Sequence, residues 1–487
     1  MPVSKLVIAW KLGAALAAGL FATSLSAMAE TAPDLPRWTP LARTAASVPL
    51  GTVVLGTAVS LARAPRENTV ALDRVGYVEE EYLVSGRARM DATGGNPARR
   101  QPYTTRVLVR RPSDPGRFSG TVHLEPFDGG EEATIWRWAW PTMVANGDVW
   151  VGFTASKASV SGLLKPFDLA RYATLDIPDD RARMNIMADV AALLRNDEGP
   201  LGKLGFLKQA STLQGLVKIY VSGWGETGCM ASSFVKDGGH ERARTDSGQA
   251  LINGYLIGAC PGEAPITAPP DAAVVEILTE TAFQGSPQAV EAIVKARAPD
   301  GDLPGKNRFR WYEIAGASDA IAADQPQFSI VDFQLGRHAA NKCVKPVSDL
   351  PGARDFVRGI LSSLDRWVRT GIYAPPGKQF ALEPGYGIKR DAYGNATGGV
   401  RPYWIEEPRT TFAAKTDGVA PLCSRLAHEE PLASDTTAKL YKDDDDYVEK
   451  VAEHLDALVT DGFLLFADAK TELGQAKKVI LPRRGAS

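Results

Sequence analysis

Short apolar runs separated by polar, glycine-rich and proline-rich segments make up the first part of the chain. Val53–Leu61 and Tyr77–Arg87 are dense in Val, Leu and Tyr, and Tyr103–Arg110 alternates between apolar and polar positions. Alternation and β-branched content of this kind predict β-strands. We therefore predict a β region over residues 52–112, preceded by a proline- and alanine-rich arm at residues 30–50.

From about Phe118 the pattern changes to strand, helix, strand. Arg181–Arg195 carries apolar residues at spacings of three and four, which predicts a helix. Short apolar strands that alternate with helices predict a mostly parallel sheet with right-handed crossovers and helices on both faces. Active sites of such sheets lie at the carboxyl ends of the strands. The predicted strands are Thr121–Leu124, Val149–Thr154, Leu216–Val221, Gly254–Ala259, Ala272–Leu278 and Phe309–Ala315.

The last part of the chain combines two predicted helices with a long irregular segment. Residues 350–371 predict a helix that ends at Gly371, a typical C-cap. Residues 376–435 are loop-rich, and Lys439–Asp461 predicts a final helix. Its acidic run Asp443–Asp446 is best interpreted as a solvated helix start.

The composition is typical of a globular protein, and the N-terminal sequence predicts export. It has 487 residues, 44% apolar and 23% charged, which are globular values. The net charge of −2 argues against nucleic acid as a partner. Lys5, Lys11, the apolar run Leu12–Leu25 and Ala27-Met28-Ala29 predict a cleaved signal peptide. An uncleaved anchor is the alternative, but the run is short for a span of ~20 residues.

These observations predict three parts of the chain: a signal peptide at 1–29, an arm and β region at 30–115, and an α/β domain at 116–487. The β region would pack on the core of the domain. Residues from about 350 to 435 would form a cap or loop insertion. We expect a periplasmic or secreted protein with no membrane contact after cleavage of the signal.

Export makes disulfide bonds possible for the four cysteines. Cys229 follows the predicted strand at 216–221, and Cys260 follows the next one. Neighbouring parallel strands could bring these two together, which would leave Cys343 to pair with Cys423. Buried free thiols are the alternative.

The segment Val221–Gly228, V-S-G-W-G-E-T-G, has the outline of a nucleophile elbow. An elbow joins a buried strand to a helix through a sharp turn, and its G-x-S-x-G motif exposes a serine at the apex. Here the apex position holds Gly225, and the second glycine, Gly228, comes one residue late. A glycine cannot form an acyl-enzyme.

The chain resembles the bacterial family of proteins called alpha/beta hydrolase domain-containing, from about Tyr77 to Leu473. The resemblance implies an α/β-hydrolase fold with esterase-like machinery. The segments that carry it are Tyr77–Tyr82 with Ser85-Gly86, Phe118–Val122, Phe167-Asp168 with Arg171-Tyr172, the elbow, Glu313–Gly316, Leu364–Val368 with Gly371 and Pro375-Pro376, Asp391–Asn395 with Gly398–Arg401, and Asp461–Leu465 with Asp468.

Position by position, the resemblance implies that both the nucleophile and the base are replaced. The family's elbow resembles G-x-S-Q-T-G, and Gly225 and Glu226 stand where it has serine and glutamine. Glu280 matches the expected acid. Asp319 occupies the expected histidine position. Pro126-Phe127 replaces an Asn–Pro pair after the first core strand.

The replacements suggest acid–base chemistry without a covalent intermediate. Glu226, Glu280 and Asp319 would face one crevice, where like-charge repulsion and desolvation raise carboxylate pKa values. Glu226 could also simply favour a helix N-terminus. Aromatic residues could form a wall of the site, or simply pack the core and cap. The candidates are Trp224, Phe127, Phe283 and the cluster Trp136, Trp138 and Trp140, with Gly225 at the centre of the substrate site.

A relocated base is the other route to catalysis. His123, on the first core strand near its carboxyl end, and His428 are the best candidates. None of the nearby serines Ser222, Ser232 and Ser233 is at the apex. The chain has no H-x-x-H or C-x-x-C spacing for a metal and no G-x-x-x-x-G-K or G-x-G-x-x-G motif for a phosphate or dinucleotide. We therefore expect no metal and no cofactor.

Three hypotheses for function follow. The favoured one is a cofactor-independent lyase- or hydrolase-type enzyme that uses Glu226, Glu280, Asp319 and His123 on a small, partly aromatic molecule. The second is a non-catalytic protein that binds a small molecule. The third is a serine esterase with relocated catalytic residues.

Overall fold

A nine-stranded mixed sheet organises the described part of the computed structural model, which comprises residues 35–44, 47–52, 71–90, 99–208, 217–262, 265–297 and 308–481. These residues belong to one unit, Leu35–Ser487. The predicted signal peptide at 1–29 and the predicted strand Val53–Leu61 lie outside the described residues. The strands of this sheet are β1 Arg37–Leu41, β2 Tyr77–Met90, β3 Arg99–Pro112, β4 Thr121–Pro126, β5 Val149–Phe153, β6 Lys218–Trp224, β7 Gly254–Gly258, β8 Ala273–Thr279 and β9 Phe309–Ile314.

The strands lie in the order β1-β2-β3-β5-β4-β6-β7-β8-β9. The pairs β1–β2, β2–β3 and β3–β5 are antiparallel. The remaining neighbouring pairs in that order, from β5–β4 to β8–β9, are parallel. Every residue of β4, β5, β7, β8 and β9 is buried. Near-continuous apolar strands are typical of a parallel sheet that is covered on both faces. The predicted α/β-hydrolase fold class is confirmed.

The chain reverses its direction of progress across the sheet at β4. β5 lies on one side of β4, and β6 lies on the other. Such a switch point leaves a crevice outside the carboxyl ends of the two strands, where ligands bind in open α/β sheets. The topology therefore places the functional region at the ends of β4 and β6.

Long helices cover the sheet and add a C-terminal layer. Those of ten or more residues in the described ranges are α1 Thr134–Asn146, α2 Arg183–Arg195, α3 Glu226–Lys236, α4 Pro287–Ala296, α5 Arg354–Thr370, α6 Asp444–Asp461 and α7 Phe466–Ala476. α5 packs against α1 and ends at Gly371, which adopts a φ of 78° as the predicted C-cap. A two-stranded sheet, β10 Thr410–Ala413 and β11 His428–Pro431, lies in the predicted loop-rich region.

The structure differs from the sequence prediction in several elements, and α7 follows the helix that we predicted to be the last. β1 lies inside the predicted arm, where it pairs with β2. The predicted helix Lys439–Asp461 is two helices, Ser434–Leu440 and α6, because Asp443 caps a new helix start through the backbone N–H of Asp446. α1 was not predicted. Its N-terminus is capped from a distance by the buried Glu125, which accepts hydrogen bonds from two backbone N–H groups of the helix.

Two disulfides join the pairs expected from sequence. Cys229 at the start of α3 is bonded to Cys260 after β7, and Cys343 is bonded to Cys423. These bonds are consistent with an extracellular or periplasmic protein. Among the described helices, none has both the length and the apolar character that a bilayer crossing requires.

Candidate functional site

A sharp turn joins β6 to α3. β6 ends at Trp224, Gly225 adopts φ 62° and ψ −122°, and α3 begins at Glu226. Residues with a side chain are strained at this φ, whereas glycine accepts it at little cost. The predicted elbow is confirmed as backbone geometry, and its apex carries no side chain.

Two further glycines allow the backbone around the elbow to pack closely. A Cβ on Gly223 would lie 2.3 Å from the carbonyl of Thr227, and a Cβ on Gly228 would lie 2.3 Å from the carbonyl oxygen of Gly258. Both distances are far below a van der Waals contact. Gly228 therefore serves the approach of α3 to β7, which explains why it comes one residue later than in the usual motif.

Arg425 lies next to the apex of the elbow. A Cβ on Gly225 would lie 3.4 Å from Arg425 Nη2. The backbone oxygen of Arg425 accepts a hydrogen bond of 3.0 Å from the N–H of Ala320. This bond ties the segment around Arg425 to the loop after β9. A positive charge therefore lies beside the apex, which itself carries no side chain.

Asp319 lies beside the elbow, in the loop after β9. Its Oδ1 accepts a hydrogen bond of 2.6 Å from Thr279 Oγ1, and its backbone oxygen accepts one of 2.8 Å from Trp224 Nε1. Burial raises the pKa of the Asp319 carboxyl, while the Thr279 hydroxyl and the charge of Arg425 lower it. The carboxyl thus has one oxygen anchored and a positive partner at the apex.

Glu280 holds the loop of Asp319 in place. Its Oε1 accepts a hydrogen bond of 2.7 Å from the N–H of Gly316, and its Oε2 accepts one of 2.5 Å from Arg390 Nη1. Burial raises its pKa, and Arg390 opposes that rise. Because the side chain is completely buried and both oxygens are engaged, Glu280 is a positioning residue in this arrangement.

Glu226 connects the helix start to the turn after β4. It is exposed, and its Oε2 accepts a hydrogen bond of 3.1 Å from the N–H of Gly129. In elbow-type hydrolases the corresponding loop supplies one N–H of the oxyanion hole. Here one N–H group of that loop, that of Gly129, already donates its hydrogen bond to the carboxylate of Glu226.

The carboxyl of Asp319 is not perturbed by another carboxylate. Burial is the largest cause of its raised pKa, and the remaining influences are Thr279 and Arg425. The cause that we expected, like-charge repulsion, is therefore wrong for this residue. Like-charge repulsion does not act on Asp319 because the carboxylate of Glu280 is hydrogen-bonded to Gly316 and Arg390, while that of Glu226 is hydrogen-bonded to Gly129.

The predicted aromatic residues do not form one wall. Trp224 packs on Trp138 at a ring-centroid distance of 4.8 Å. Phe127 packs on Trp150, and Phe283 packs on Phe380. Trp136 also packs on Trp150, at 5.2 Å, while Trp140 is partly buried at the edge of the core. The single-wall prediction is wrong, because these side chains lie on different elements and pack against separate partners. On α1, Trp138 lies two positions from both Trp136 and Trp140 and therefore points to another side of the helix.

His123 faces away from the elbow. It is the third of six residues in β4, and its register partner on β6 is Tyr220, four residues before Trp224, which corresponds to about 13 Å along a strand. Its Nε2 lies 3.1 Å from Asp148 Oδ2, and it lines a cavity of about 440 Å³ that includes Asp365 and Arg369. Its expected place near the carboxyl end is wrong, because the strand continues to Pro126.

His428 lies on β11 and is hydrogen-bonded to the backbone. Its Nδ1 lies 2.8 Å from the carbonyl oxygen of Lys415, and it lines a surface cavity of about 300 Å³ with Gln284 and Lys345. In the part of the chain that the structure describes, none of the histidines is hydrogen-bonded to a serine. Ser222 is completely buried in β6.

Sequence reasoning missed Arg425. It follows the disulfide-bonded Cys423 in an irregular segment, where no local periodicity or motif marks it. Only the Cys343–Cys423 bond, which was expected, hinted that this segment is fixed against the rest of the molecule.

Comparison with known proteins places the fold. A family model described as an alpha/beta hydrolase domain matches residues 38–473. No curated protein sequence matches the chain. Among solved structures, a serine hydrolase without a lid from Xanthomonas campestris is 12% identical, with 52% of this chain and 91% of that chain covered and a TM-score of 0.26. Esterases from Rhizomucor miehei are 9% identical, with coverages of 53% and 82% and a TM-score of 0.26.

Proposed function

Because the chain belongs to the alpha/beta hydrolase domain family, we propose that it is an enzyme that acts at the elbow on a small, partly aromatic molecule without forming an acyl-enzyme. The observation that carries this proposal is the contact of Arg425 with the apex at Gly225, beside the half-buried Asp319, whose carboxyl pKa is raised by desolvation. A positive charge and a carboxyl are the two groups that a proton-transfer reaction at a carbonyl compound needs.

Arg425 would bind the oxygen of the substrate. A guanidinium donates several hydrogen bonds in a fixed plane and suits a carboxylate or a developing oxyanion. The start of α3 adds a favourable partial positive charge at the same apex. Fixed charges aimed at an oxyanion commonly contribute the largest part of a rate enhancement.

Asp319 would transfer the proton. Its Oδ1 is held by Thr279, so that Oδ2 is the oxygen available to the substrate. A carboxyl whose pKa is raised by burial is a stronger base than an ordinary aspartate and works closer to neutral pH. Glu280 and Arg390 would position the loop that carries it.

Two reaction types fit these roles. In a lyase-type reaction, Asp319 removes a proton next to a carbonyl whose oxygen is held by Arg425, and returns it to the leaving group. In a hydrolase-type reaction, Asp319 takes a proton from a water molecule that attacks the carbonyl, and then donates it to the leaving group. Neither reaction uses a metal, a cofactor or a covalent intermediate.

We also propose that the protein works in the periplasm or outside the cell. The signal-like sequence at residues 1–29 supports this location, and so do the two disulfides. A small molecule is the proposed partner, with neither nucleic acid nor membrane involved.

A non-catalytic binding protein is the second candidate. The observation that favours it is that two of the carboxylates already have hydrogen-bond partners within the protein. Both oxygens of Glu280 accept hydrogen bonds, and Glu226 accepts one from the N–H of Gly129. In that case Arg425 would hold an organic anion, and Asp319 would serve only to orient Thr279 and the loop.

The decisive experiment measures turnover and binding for the same compounds. Small aromatic carbonyl compounds and aromatic acids are incubated with the protein in D₂O and followed by NMR for conversion or deuterium incorporation. Asp319→Asn, which keeps the shape of the side chain, should abolish conversion and retain binding, while the exposed Glu449→Gln should change neither. Binding without conversion would show the second candidate instead. Binding by neither variant nor wild type would overturn both.

A further inference from the structure

A second cavity lies on another part of the molecule, between the N-terminal segment and the start of α1. Its volume is about 270 Å³. The residues that line it include Leu50, Leu108, Phe127, Glu131, Trp136 and Val331, whereas Gly225, Asp319 and Arg425 of the elbow do not line it. A cavity of about 150 Å³ is large enough for benzene, so this one can hold a larger ring system.

Glu131 in this cavity has an unsatisfied carboxylate oxygen. The side chain is buried, with 2% of the residue exposed. Its Oε2 accepts hydrogen bonds from Arg106 Nη1 at 3.0 Å and from Thr154 Oγ1 at 2.7 Å. Its Oε1 accepts none from the described residues. An unpaired buried polar atom is destabilising, so a structure that retains one calls for an explanation.

The backbone of Glu131 is held in an unfavourable conformation. Its φ is 61°, a region that residues other than glycine seldom adopt. Such strain is destabilising and collects at functional sites. The turn Asp128-Gly129-Gly130 fixes this residue, because Asp128 accepts a hydrogen bond from the N–H of Glu131. The orphan oxygen is therefore placed by a rigid turn.

Apart from the exposed Asp73, the charged side chains that line the cavity are paired within the protein, and Arg43 is paired with Glu79. Glu131 pairs with Arg106, Glu79 with Arg110, and Glu132 with Arg137. A charged ligand would bring an uncompensated charge into this surrounding, which is costly. Phe127 and Trp136 add apolar aromatic surface. The cavity suits a neutral ligand with a flat apolar body.

We propose that this cavity is a ligand-binding site separate from the elbow, which takes a neutral aromatic molecule that donates one hydrogen bond, from a hydroxyl or a ring N–H, to Glu131 Oε1. Burial raises the pKa of Glu131 to about 7. Above that pH the carboxylate is ionised and accepts the hydrogen bond from the ligand. The preference for a donor is therefore strongest in mildly alkaline solution.

Two ring systems of the same shape test the proposal. Indole donates a hydrogen bond from its ring N–H, and benzofuran has an accepting oxygen at the same position. Their dissociation constants are measured at pH 8 by calorimetry with the full protein. The wild type should bind indole at least tenfold more tightly than benzofuran, because a hydrogen bond to a charged group contributes about that factor or more.

Glu131→Gln should reverse this preference. Arg106 and Thr154 both donate to the Oε2 position, so the amide oxygen must occupy it and the NH₂ group must occupy the Oε1 position. An NH₂ group there favours benzofuran. A preference for indole that stays the same in this variant would overturn the role of Glu131.

Ala133→Leu provides a second variant that leaves the carboxylate intact. Ala133 lines the cavity, and a larger side chain would fill it. This variant should lose the binding of both compounds while its thermal unfolding stays within a few degrees of the wild type. Unchanged binding by Ala133→Leu, or no binding of either compound to the wild type, would show that the cavity is not a ligand site.

Discussion

The guanidinium of Arg425 lies against the bare apex of the elbow, with Nη2 3.4 Å from the position of a Cβ on Gly225. The two residues are 200 positions apart in sequence, and each accounts for the other. A glycine leaves the apex without a side chain, and the arginine places a positive charge next to it. In the function that we propose, electrostatic binding by Arg425 takes the place of catalysis by an apex serine.

Restoring the serine should not restore an esterase. Gly225→Ser should lower the free energy of unfolding by about 1–3 kcal/mol, because the apex φ of 62° strains any side chain. The variant should not react with a fluorophosphonate, because Asp319 stands where the base would be. Denaturant unfolding and intact mass measure the two effects. Gly474→Ser, in open space within α7, is the control and should change stability little. Labelling of the introduced hydroxyl in Gly225→Ser would contradict this interpretation of the site.

Removing the charge at the apex should move the titration of Asp319. Arg425 lowers the pKa of Asp319, so Arg425→Gln should raise that pKa further. The increase of activity with pH should then occur at a higher pH than in the wild type. The rate should fall by about 10²-fold, as for the loss of other oxyanion-stabilising groups. Arg425→Lys should retain part of the rate, and the pKa of Asp319 in this variant should stay close to that in the wild type. A pH–rate profile of the three proteins measures both effects. A profile that keeps its midpoint in Arg425→Gln would separate Arg425 from Asp319.

Gly228 should tolerate no side chain. A Cβ at this position would lie 2.3 Å from the backbone oxygen of Gly258, which cannot move without shifting β7. Gly228→Ala should therefore lower the free energy of unfolding by at least about 2 kcal/mol, as overpacking against rigid structure does. Chemical denaturation measures the change. Gly474→Ala, in the interior of a helix with free space around it, should stabilise the protein slightly.

Stability should fall as the pH rises from about 4.5 to 8, in part because of Glu276. This residue is 2% exposed in β8, and burial raises its pKa from 4.5 to about 8. Between these values the folded state keeps a proton that the unfolded state has released, so the stabilisation is present below the unfolded pKa and is lost as the pH approaches the folded pKa. The slope for one such proton is about 1.4 kcal/mol per pH unit.

Glu276→Gln should remove this part of the slope. The variant cannot ionise, so its unfolding free energy should decline less than that of the wild type between about pH 5 and 8. Denaturation curves at several pH values measure it. The exposed Glu449→Gln is the matched control and should keep the slope of the wild type. A Glu276→Gln slope identical to the wild type would mean that Glu276 titrates normally.

The Cys229–Cys260 bond should stabilise the elbow region. It clamps the start of α3 to the segment after β7 and closes a sequence separation of 31 residues. Replacing both cysteines with alanine should lower the free energy of unfolding by about 3–4 kcal/mol, from the entropy of the closed loop. Calorimetry of the variant in oxidising buffer, beside the wild type in the same buffer, measures the change. A variant as stable as the wild type would show that this bond does not stabilise the fold.

The parallel strands could be located from sequence because their signal is local. Runs such as Gly254–Gly258 and Ala273–Thr279 are apolar apart from Glu276 and Thr279, and this pattern is typical of a strand buried on both faces. The elbow was equally visible, because Gly223, Gly225 and Gly228 are required by backbone conformation and close packing within a few residues. β1 escaped prediction because its burial alternates weakly and its strand character depends on pairing with β2.

The features of the site also fall into two groups, those that the sequence reveals and those that depend on the tertiary structure. The missing nucleophile and the place of Asp319 were readable, because each belongs to a short segment that follows a strand. The contact of Arg425 with Gly225, the engagement of Glu280 with Arg390, and the remote position of His123 were not, because each depends on how distant loops and strand registers meet. Glu131 was missed for a further reason: its importance lies in a cavity and an unpaired oxygen, which no sequence pattern records.

The sequence by itself determined the parallel core, the elbow and the absence of a serine at its apex, since short-range backbone and burial requirements dictate them. The tertiary structure alone decided which charges meet at that apex and which carboxylates are free to react. Electrostatic effects of this kind act over a few ångströms in space, and residues from β4, β8, β9 and the segment after Cys423 come within that range only when the chain is folded.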